Sequence, residues 1–284
     1  MQTDEKFAKE FLFTDKDFTY LSQLAGIHAG INLNSSKREL VYGRLARRLR
    51  ALGLRSFKEY CNLLNDENSD EFTHFINAIT TNVTSFFREN HHFEFLANEL
   101  LVQVIKKQSA ISRPRLRIWS AGCSSGQEPY SIAIVLKECI KDIDRWDAKI
   151  LATDLDSNIL DKARQGIYSV ESIRDLSMDR RKMWFKFSDK DNKETVKIND
   201  DIKKLVSFKQ LNLTSSWPMK GPFDAIFCRN VTIYFDRPTR EKLINNFANL
   251  LSKDGCLFVG HSESLFGLTK RFYSLGNTIH RKII

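Results

Sequence analysis

Between Trp119 and Tyr130 the chain reads WSAGCSSGQEPY, which concentrates two glycines, three serines, a cysteine and a carboxylate in one short turn. An apolar, strand-like run (LRIW) leads in and an apolar helical pattern (SIAIVL) leads out. A Walker loop needs G-x-x-x-x-G-K-[ST]. Here Gly122 and Gly126 stand too close together, and Gln127 takes the lysine's place. The dinucleotide pattern G-x-G-x-x-G is also missing. Cys123 as a nucleophile would need a neighbouring base and a lowered pKa, and the sequence supplies neither. What remains is a strand, a small-residue turn and a helix opening at Pro129, a residue favoured at the first helical position. Glu128 then stands at the helix mouth. There it either caps the helix, stabilised by the dipole, or faces a cationic or hydroxyl-rich ligand.

A second acid speaks for the ligand. Asp154, in ATDLD, closes the following strand, where nucleotide-binding sheets place the acceptor for ribose hydroxyls. It lies 32 residues after Gly122, more than the usual ~20, because the intervening helix is long. A ribose-bearing, positively charged ligand without phosphate suits this pair. S-adenosylmethionine (AdoMet) meets that description, and the loop resembles its binding loop in class I methyltransferases, with Gly122 letting the chain pass close to it.

The elements that must position these residues follow from periodicity. The first hundred residues are helical in pattern: Phe18, Leu21, Leu24 and Ala25 recur at helical spacing, as do Leu40, Val41, Leu45, Leu49 and Leu52. Ser36 to Glu39 has capping-box spacing. A further helix is expected over Glu71–Ile79. Strand-like and helical runs then alternate: strands at 116–121, 149–153, 206–211, 223–228 and 256–260, helices at 129–141, 157–165 and 237–251. That alternation predicts an α/β fold with a mostly parallel sheet, helices on both faces, and ligands at the carboxyl ends of the strands. The expected division is a helical domain over 1–95, a connection over 96–114 ending in the polar, proline-blocked KKQSAISRP, and a catalytic domain over 115–284. Residues 168–204 break the alternation and are expected to form an inserted subdomain with a small hairpin.

Four further segments sharpen the reading: TTNVTSFFRE (80–89), QLNL (210–213), FCRNVTIYFD (227–236) and GHSE (260–263). Together with SAGCSSGQEPYS they resemble, in order and over nearly the whole chain, the CheR family of chemotaxis receptor methyltransferases. The resemblance implies a class I (Rossmann-like) AdoMet-dependent domain after a small all-helical one. It implies esterification of glutamate side chains on transmembrane chemoreceptors, with S-adenosylhomocysteine as product. It also implies roles for particular residues. Asn82, Thr84 and Arg88 reach the cofactor from the segment between the domains, and Glu128 and Asp154 hold its polar groups. Asn212 and Leu213 border the adenine, and Arg229 and Asn230 complete the pocket. The family usually carries a larger apolar residue such as methionine where this chain has Thr232, a departure expected to affect packing rather than chemistry. Each residue also has a plainer use: Arg88 and Glu89 as a surface ion pair, Asn82 and Thr84 as caps, Tyr234 and Phe235 as core aromatics, His261 as a strand-end residue.

Methyl transfer from a sulfonium to a carboxylate needs no general base, since a glutamate with a pKa near ~4.3 is already ionised at neutral pH. The enzyme must bring that carboxylate within roughly 3–3.5 Å of the methyl carbon, in line with sulfur, in a dry and rather apolar pocket. Arg88 is assigned to the cofactor carboxylate and orientation, and Tyr234 to positioning near the methyl.

The formal charge of +9 calls for an anionic partner. Residues 31–60 carry most of it: eight basic groups against Glu39 and Glu59, net +6. Lys37, Arg44, Arg47 and Arg48 share one arc of a helical wheel beside Val41, Leu45, Leu49 and Leu52, while Arg38 projects toward the apolar side. This is either a solvated face or an electrostatic dock for a glutamate-rich receptor helix. Five widely spaced cysteines without a C-x-x-C pair indicate neither disulfides nor zinc. His91-His92 is not at metal-ligand spacing, so no metal is expected. The N-terminal MQTDEKFAKE lacks a secretory apolar core and no run is long enough for a membrane span. The expectation is a cytoplasmic monomer recruited to receptor clusters, with the insertion open as a holder of a receptor's C-terminal tail. An RNA or DNA methyltransferase would also suit the basic helix, but no N/D-P-P-Y/F motif occurs, and nucleic acid is not the expected partner. A cofactor-binding adaptor without activity is the non-enzymatic alternative.

Overall fold

A computed structural model describes residues 9–66, 69–80, 82–188 and 194–283. Most of the polar N-terminus (1–8), Thr81 of TTNVTSFFRE and 189–193 of the insertion lie outside the described residues. The chain divides into two compact units, Met1–Thr81 and Asn82–Ile284. The division therefore falls at 81/82 rather than at 95, and most of the expected 96–114 connection is helix.

In the first unit, α1 (Asp15–Ala29) starts from a true capping box. Thr14 Oγ1 accepts the Asp17 N–H at 3.2 Å, and Asp17 Oδ2 accepts the Thr14 N–H at 2.9 Å. The capping box expected at Ser36–Glu39 does not form. Residues Ser35–Lys37 make a 3-10 turn, Ser36 Oγ donates to Asn34 Oδ1, and α2 (Arg38–Leu52) begins after them. Two shorter helices follow, α3 (Phe57–Leu64) and α4 (Glu71–Ile79). Val41, Leu45 and Leu49 are fully buried, as their spacing predicts, and so are Leu21 and Ala25 of α1, Tyr60 of α3 and Phe75 of α4. Arg38 does leave the basic arc: it donates to the Phe13 carbonyl and to Asp15, and its guanidinium lies 5.0 Å from the centroid of the Phe13 ring.

The second unit opens with α5 (His91–Phe95), a π-helical turn (Leu96–Leu100) and α6 (Leu101–Gln108). Then come β1 (Arg115–Ala121), α7 (Gln127–Cys139), β2 (Asp147–Asp154) and α8 (Ser157–Gln165). The insertion holds β3 (Ile167–Ser169), α9 (Met178–Trp184), β4 (Phe185–Phe187), β5 (Thr195–Ile198) and α10 (Asp200–Lys203). It is thus more than a hairpin: β5 pairs antiparallel with both β3 and β4. The alternation resumes with β6 (Val206–Gln210), β7 (Phe223–Cys228), α11 (Arg237–Leu250), β8 (Leu251–Val259), β9 (Phe272–Gly276) and β10 (Ile279–Lys282).

The main sheet has the order β6-β2-β1-β7-β8-β10-β9. The first five are mutually parallel, and β10 runs antiparallel to both neighbours. Each strand alternates its side chains between two apolar layers. Ile118, Phe227 and Phe258 face the layer that includes Tyr130 and Ile134 of α7, while Trp119, Ile226 and Leu257 face Leu243, Ile244 and Phe247 of α11. Strand order reverses between β1 and β7, the switch point at which open sheets bind ligands. The registers Ala121↔Thr153 and Cys228↔Val259 bring the carboxyl ends of β2, β1, β7 and β8 level at Asp154, Gly122, Arg229 and Gly260.

Candidate active site

The turn after β1 is held by backbone first. Gly122 and Cys123 both donate their N–H to the Thr153 carbonyl, at 2.8 and 2.9 Å. Gly122 has φ +86, and a Cβ there would meet Val231 Cγ2 at 2.3 Å, so both conformation and space require glycine. Cys123 is buried, and burial together with Asp154 and Glu128 pushes its thiol well above the ordinary value. A thiol in such surroundings is inert.

Glu128 and Asp154 are both brought to this end of the sheet. Glu128 Oε1 accepts from Ser120 Oγ at 2.7 Å, and Oε2 accepts from Arg229 Nη1 at 3.1 Å. Burial raises its pKa, and Arg229 and Ser120 oppose the rise without cancelling it. Asp154 Oδ2 accepts the Ser124 N–H at 2.8 Å and Oδ1 the Asp156 N–H at 3.1 Å. Its pKa is also raised by burial, against those two N–H groups. Each carboxylate has about four acceptor directions, so Asp154 keeps capacity for further donors. Asp156 caps α8 through Ile159 and accepts from Asn82 Nδ2 at 2.9 Å, while Ser124 Oγ donates to the Asn82 carbonyl. Asn82 is thereby tied to the turn after β1.

Arg229 is the buried hub. Beside Glu128, its Nη2 lies 3.4 Å from Glu89 Oε2 and donates to the Arg88 carbonyl. Glu89 also meets His261 Nδ1 at 3.0 Å. Burial pushes the Glu89 carboxyl up, but the His261 contact and Arg229 outweigh it and hold it below its ordinary value. Residues 82–85 are irregular and 86–90 turn, with Phe87 and Glu89 at positive φ. Arg88 therefore does not pair with Glu89 along a helix; its Nη1 donates to the Val83 carbonyl at 2.8 Å.

After β7 the chain turns at Asn230, whose φ is +59. The organiser of this turn is Glu263, a residue whose type and position in GHSE carry no such signal in the sequence. Its carboxylate accepts the N–H groups of Asn230, Val231, Thr232 and Gly260 and the hydroxyl of Thr232. Thr232 thus contributes a hydrogen bond at 2.8 Å, not packing alone.

Thr84 and Tyr234 are half-buried. Asn212 Oδ1 accepts the Thr214 N–H and hydroxyl in its own turn, and Leu213 packs against the apolar layer of α11. The expected basic dock splits. Arg48 forms a bidentate pair with buried Glu71, at 2.7 and 2.6 Å, which Tyr60 completes at 2.9 Å. Arg44 donates to the carbonyls at the end of α4, including Ile79 at 2.9 Å. These two join α2 to α4, whereas Arg47 is exposed and Lys37 half-buried.

His91 and His92 lie beside Glu89. Among the described residues they form, with Glu89, a trio whose ligand atoms lie within 4.8 Å of one another. The trio already faces the Arg229 cation through Glu89. Both Nε2 atoms lie against the Asn277 carbonyl, at 3.2 and 3.0 Å. Burial, then Arg229, pushes His92 down to about 4.

Two family models match the chain: the CheR methyltransferase all-alpha domain over residues 16–80 and the CheR methyltransferase SAM binding domain over residues 82–281. The chemotaxis protein methyltransferase of Escherichia coli is 41% identical over 283 residues, covering 99% of this chain and 94% of the relative. The chemotaxis protein methyltransferase 2 of Pseudomonas aeruginosa is 42% identical over 273 residues, covering 96% of this chain and 95% of the relative. Among the described residues, no helix is long and apolar enough to cross a membrane.

Proposed function

The chain belongs to the CheR methyltransferase family, and from that premise we propose that it methylates glutamate side chains of chemoreceptors, using AdoMet bound at the carboxyl ends of β1, β2 and β7. The observation that carries the reading is the pair of acids, buried Glu128 and half-buried Asp154, held at the Gly122 turn. When bound, AdoMet supplies an electrophilic methyl group on a sulfonium.

The chain's own residues then have separate tasks. Asp154, fixed by two backbone N–H groups, presents its remaining lone pairs to a ribose diol. Glu128 offers negative charge to the cationic end of the ligand, and Gly122 allows backbone to approach it. Asn82 and Thr84 close the site from the irregular stretch 82–85. Arg88 orients the carboxylate of the methionine moiety, and Tyr234 positions the reacting carboxylate. Asn212 and Leu213 border the base, and Arg229 and Asn230 shape the wall after β7. No residue is required to remove a proton, because the accepting glutamate is ionised at neutral pH. Exposed Arg47, with Lys37, is the part of the basic arc best placed to meet acidic receptor helices, and such contacts chiefly raise the association rate.

Incubation with methyl-labelled AdoMet and receptor-bearing membranes tests the proposal. Alkali-labile label on receptor protein is expected. Label on RNA, or no transfer, overturns it. Arg88→Ala should weaken AdoMet binding or turnover; if both stay at the wild-type level, that assignment is wrong.

A further inference from the structure

We infer that Glu263 is a positioning residue for methyl transfer: it holds the turn after β7, and with it Arg229 and Val231, in register with the turn after β1. The inference rests on the AdoMet site proposed above and adds a residue outside it.

Four backbone N–H groups from the ends of β7 and β8 converge on one point. Glu263 Oε2 accepts from Gly260 at 2.6 Å and Asn230 at 2.8 Å, and Oε1 accepts from Val231 at 2.9 Å and Thr232 at 2.6 Å. Convergent N–H groups of this kind make an anion-binding concavity. Here the protein fills it with its own buried carboxylate, so the Asn230 N–H is spent internally and its side chain is what remains for the site. The carboxylate also fixes the N–H of Asn230, which stands in the left-handed region (φ +59) that asparagine tolerates better than most non-glycine residues. Gly260 takes part by omission. A Cβ on it would fall 2.5 Å from Asn230 Nδ2 and 2.9 Å from Glu263 Oε2.

The turn so fixed touches the cofactor side at two points. Val231 Cγ2 occupies the space a Gly122 side chain would need, 2.3 Å from that Cβ position. Arg229, one residue before Asn230, reaches Glu128 at 3.1 Å. Displacement of the turn would move both, and an error of about 1 Å in a reacting geometry costs on the order of a hundredfold in rate. The Thr232 hydroxyl adds a fifth donor to the carboxylate, at 2.8 Å from Oε1, which an apolar side chain at this position would not supply.

Glu263→Gln keeps the shape but turns an amide NH2 toward N–H donors on one side of the group. Thr232→Val removes only the hydroxyl, and Thr232→Ser restores it. The measurements are S-adenosylhomocysteine affinity by calorimetry, turnover on receptor-bearing membranes, and thermal midpoint, all on the full chain well below unfolding. The expected result is a loss of about a hundredfold in kcat for Glu263→Gln with weakened S-adenosylhomocysteine binding, a several-fold loss for Thr232→Val, and recovery in Thr232→Ser. A folded Glu263→Gln with wild-type affinity and kcat overturns the inference. If that variant does not fold, equal kcat and affinity in Thr232→Val and Thr232→Ser overturn it instead. Wild-type protein that fails to bind S-adenosylhomocysteine sinks the underlying AdoMet reading, a distinguishable outcome.

Discussion

Arg229 Nη1 lies 3.1 Å from Glu128 Oε2, joining the end of β7 to the first turn of α7 across 101 positions of the chain. Both are buried, and removal of one partner of a buried ion pair costs about 3–5 kcal/mol because the other charge stays behind. Arg229→Met should therefore lose stability of that order in urea unfolding at about pH 7.5. The pH dependence has a definite sign. Glu128's folded pKa lies above its unfolded value, so the folded chain holds more protons and its stability falls as pH rises through that window. Loss of Arg229 widens the window. The deficit relative to wild type should shrink at about pH 5; an undiminished deficit there would contradict the assignment.

His92 contributes the opposite slope. Its folded pKa of about 4 lies below the unfolded value near ~6.5. The folded chain thus binds fewer protons between the two, and stability is lost as pH falls through that range. The contribution amounts to up to about 3 kcal/mol. His92→Gln, which can still donate to the Asn277 carbonyl, should flatten the acid limb of the stability profile between about pH 6.5 and 4. Superimposable profiles for variant and wild type would rule this out.

Two glycine substitutions should have opposite signs. Gly122→Ala places a Cβ 2.3 Å from Val231 Cγ2 at φ +86, and should cost about 1–3 kcal/mol together with S-adenosylhomocysteine affinity. Gly43 lies inside α2, and a Cβ added there would have open space for 4 Å around it. Gly43→Ala should gain roughly 0.5–1 kcal/mol and leave that affinity unchanged. Thermal midpoints and calorimetry on the two variants decide the matter.

The basic face separates by function. Arg48→Glu opposes buried Glu71 and should destabilise the first unit by about 3 kcal/mol or more. Arg47→Glu alters an exposed side chain and should leave the thermal midpoint in place while raising KM for receptor membranes. That increase should diminish at high ionic strength, where exposed charges are screened. A salt-independent KM change would point away from electrostatic docking.

Much of this molecule is written in local pattern. The period of Val41, Leu45 and Leu49 determined a buried helical stripe, and the run Phe223–Cys228 determined a strand, because each depends on which face meets apolar neighbours. The acids Glu128 and Asp154 were legible for the same reason: a strand end and a helix mouth are positions along the chain. The partners were not. Arg48 and Glu71, Arg229 and Glu89, and Glu263 and the Asn230 turn are each joined across intervening elements. In one dimension there is a basic helix and a GHSE motif, with no measure of which charges packing will enclose. Burial decides that, since an enclosed charge must find a partner or a nest of N–H groups whereas an exposed one need not. Only the tertiary structure could turn Arg44 and Arg48 from candidate docking groups into internal ties, and make Glu263 the residue around which the turn after β7 is built.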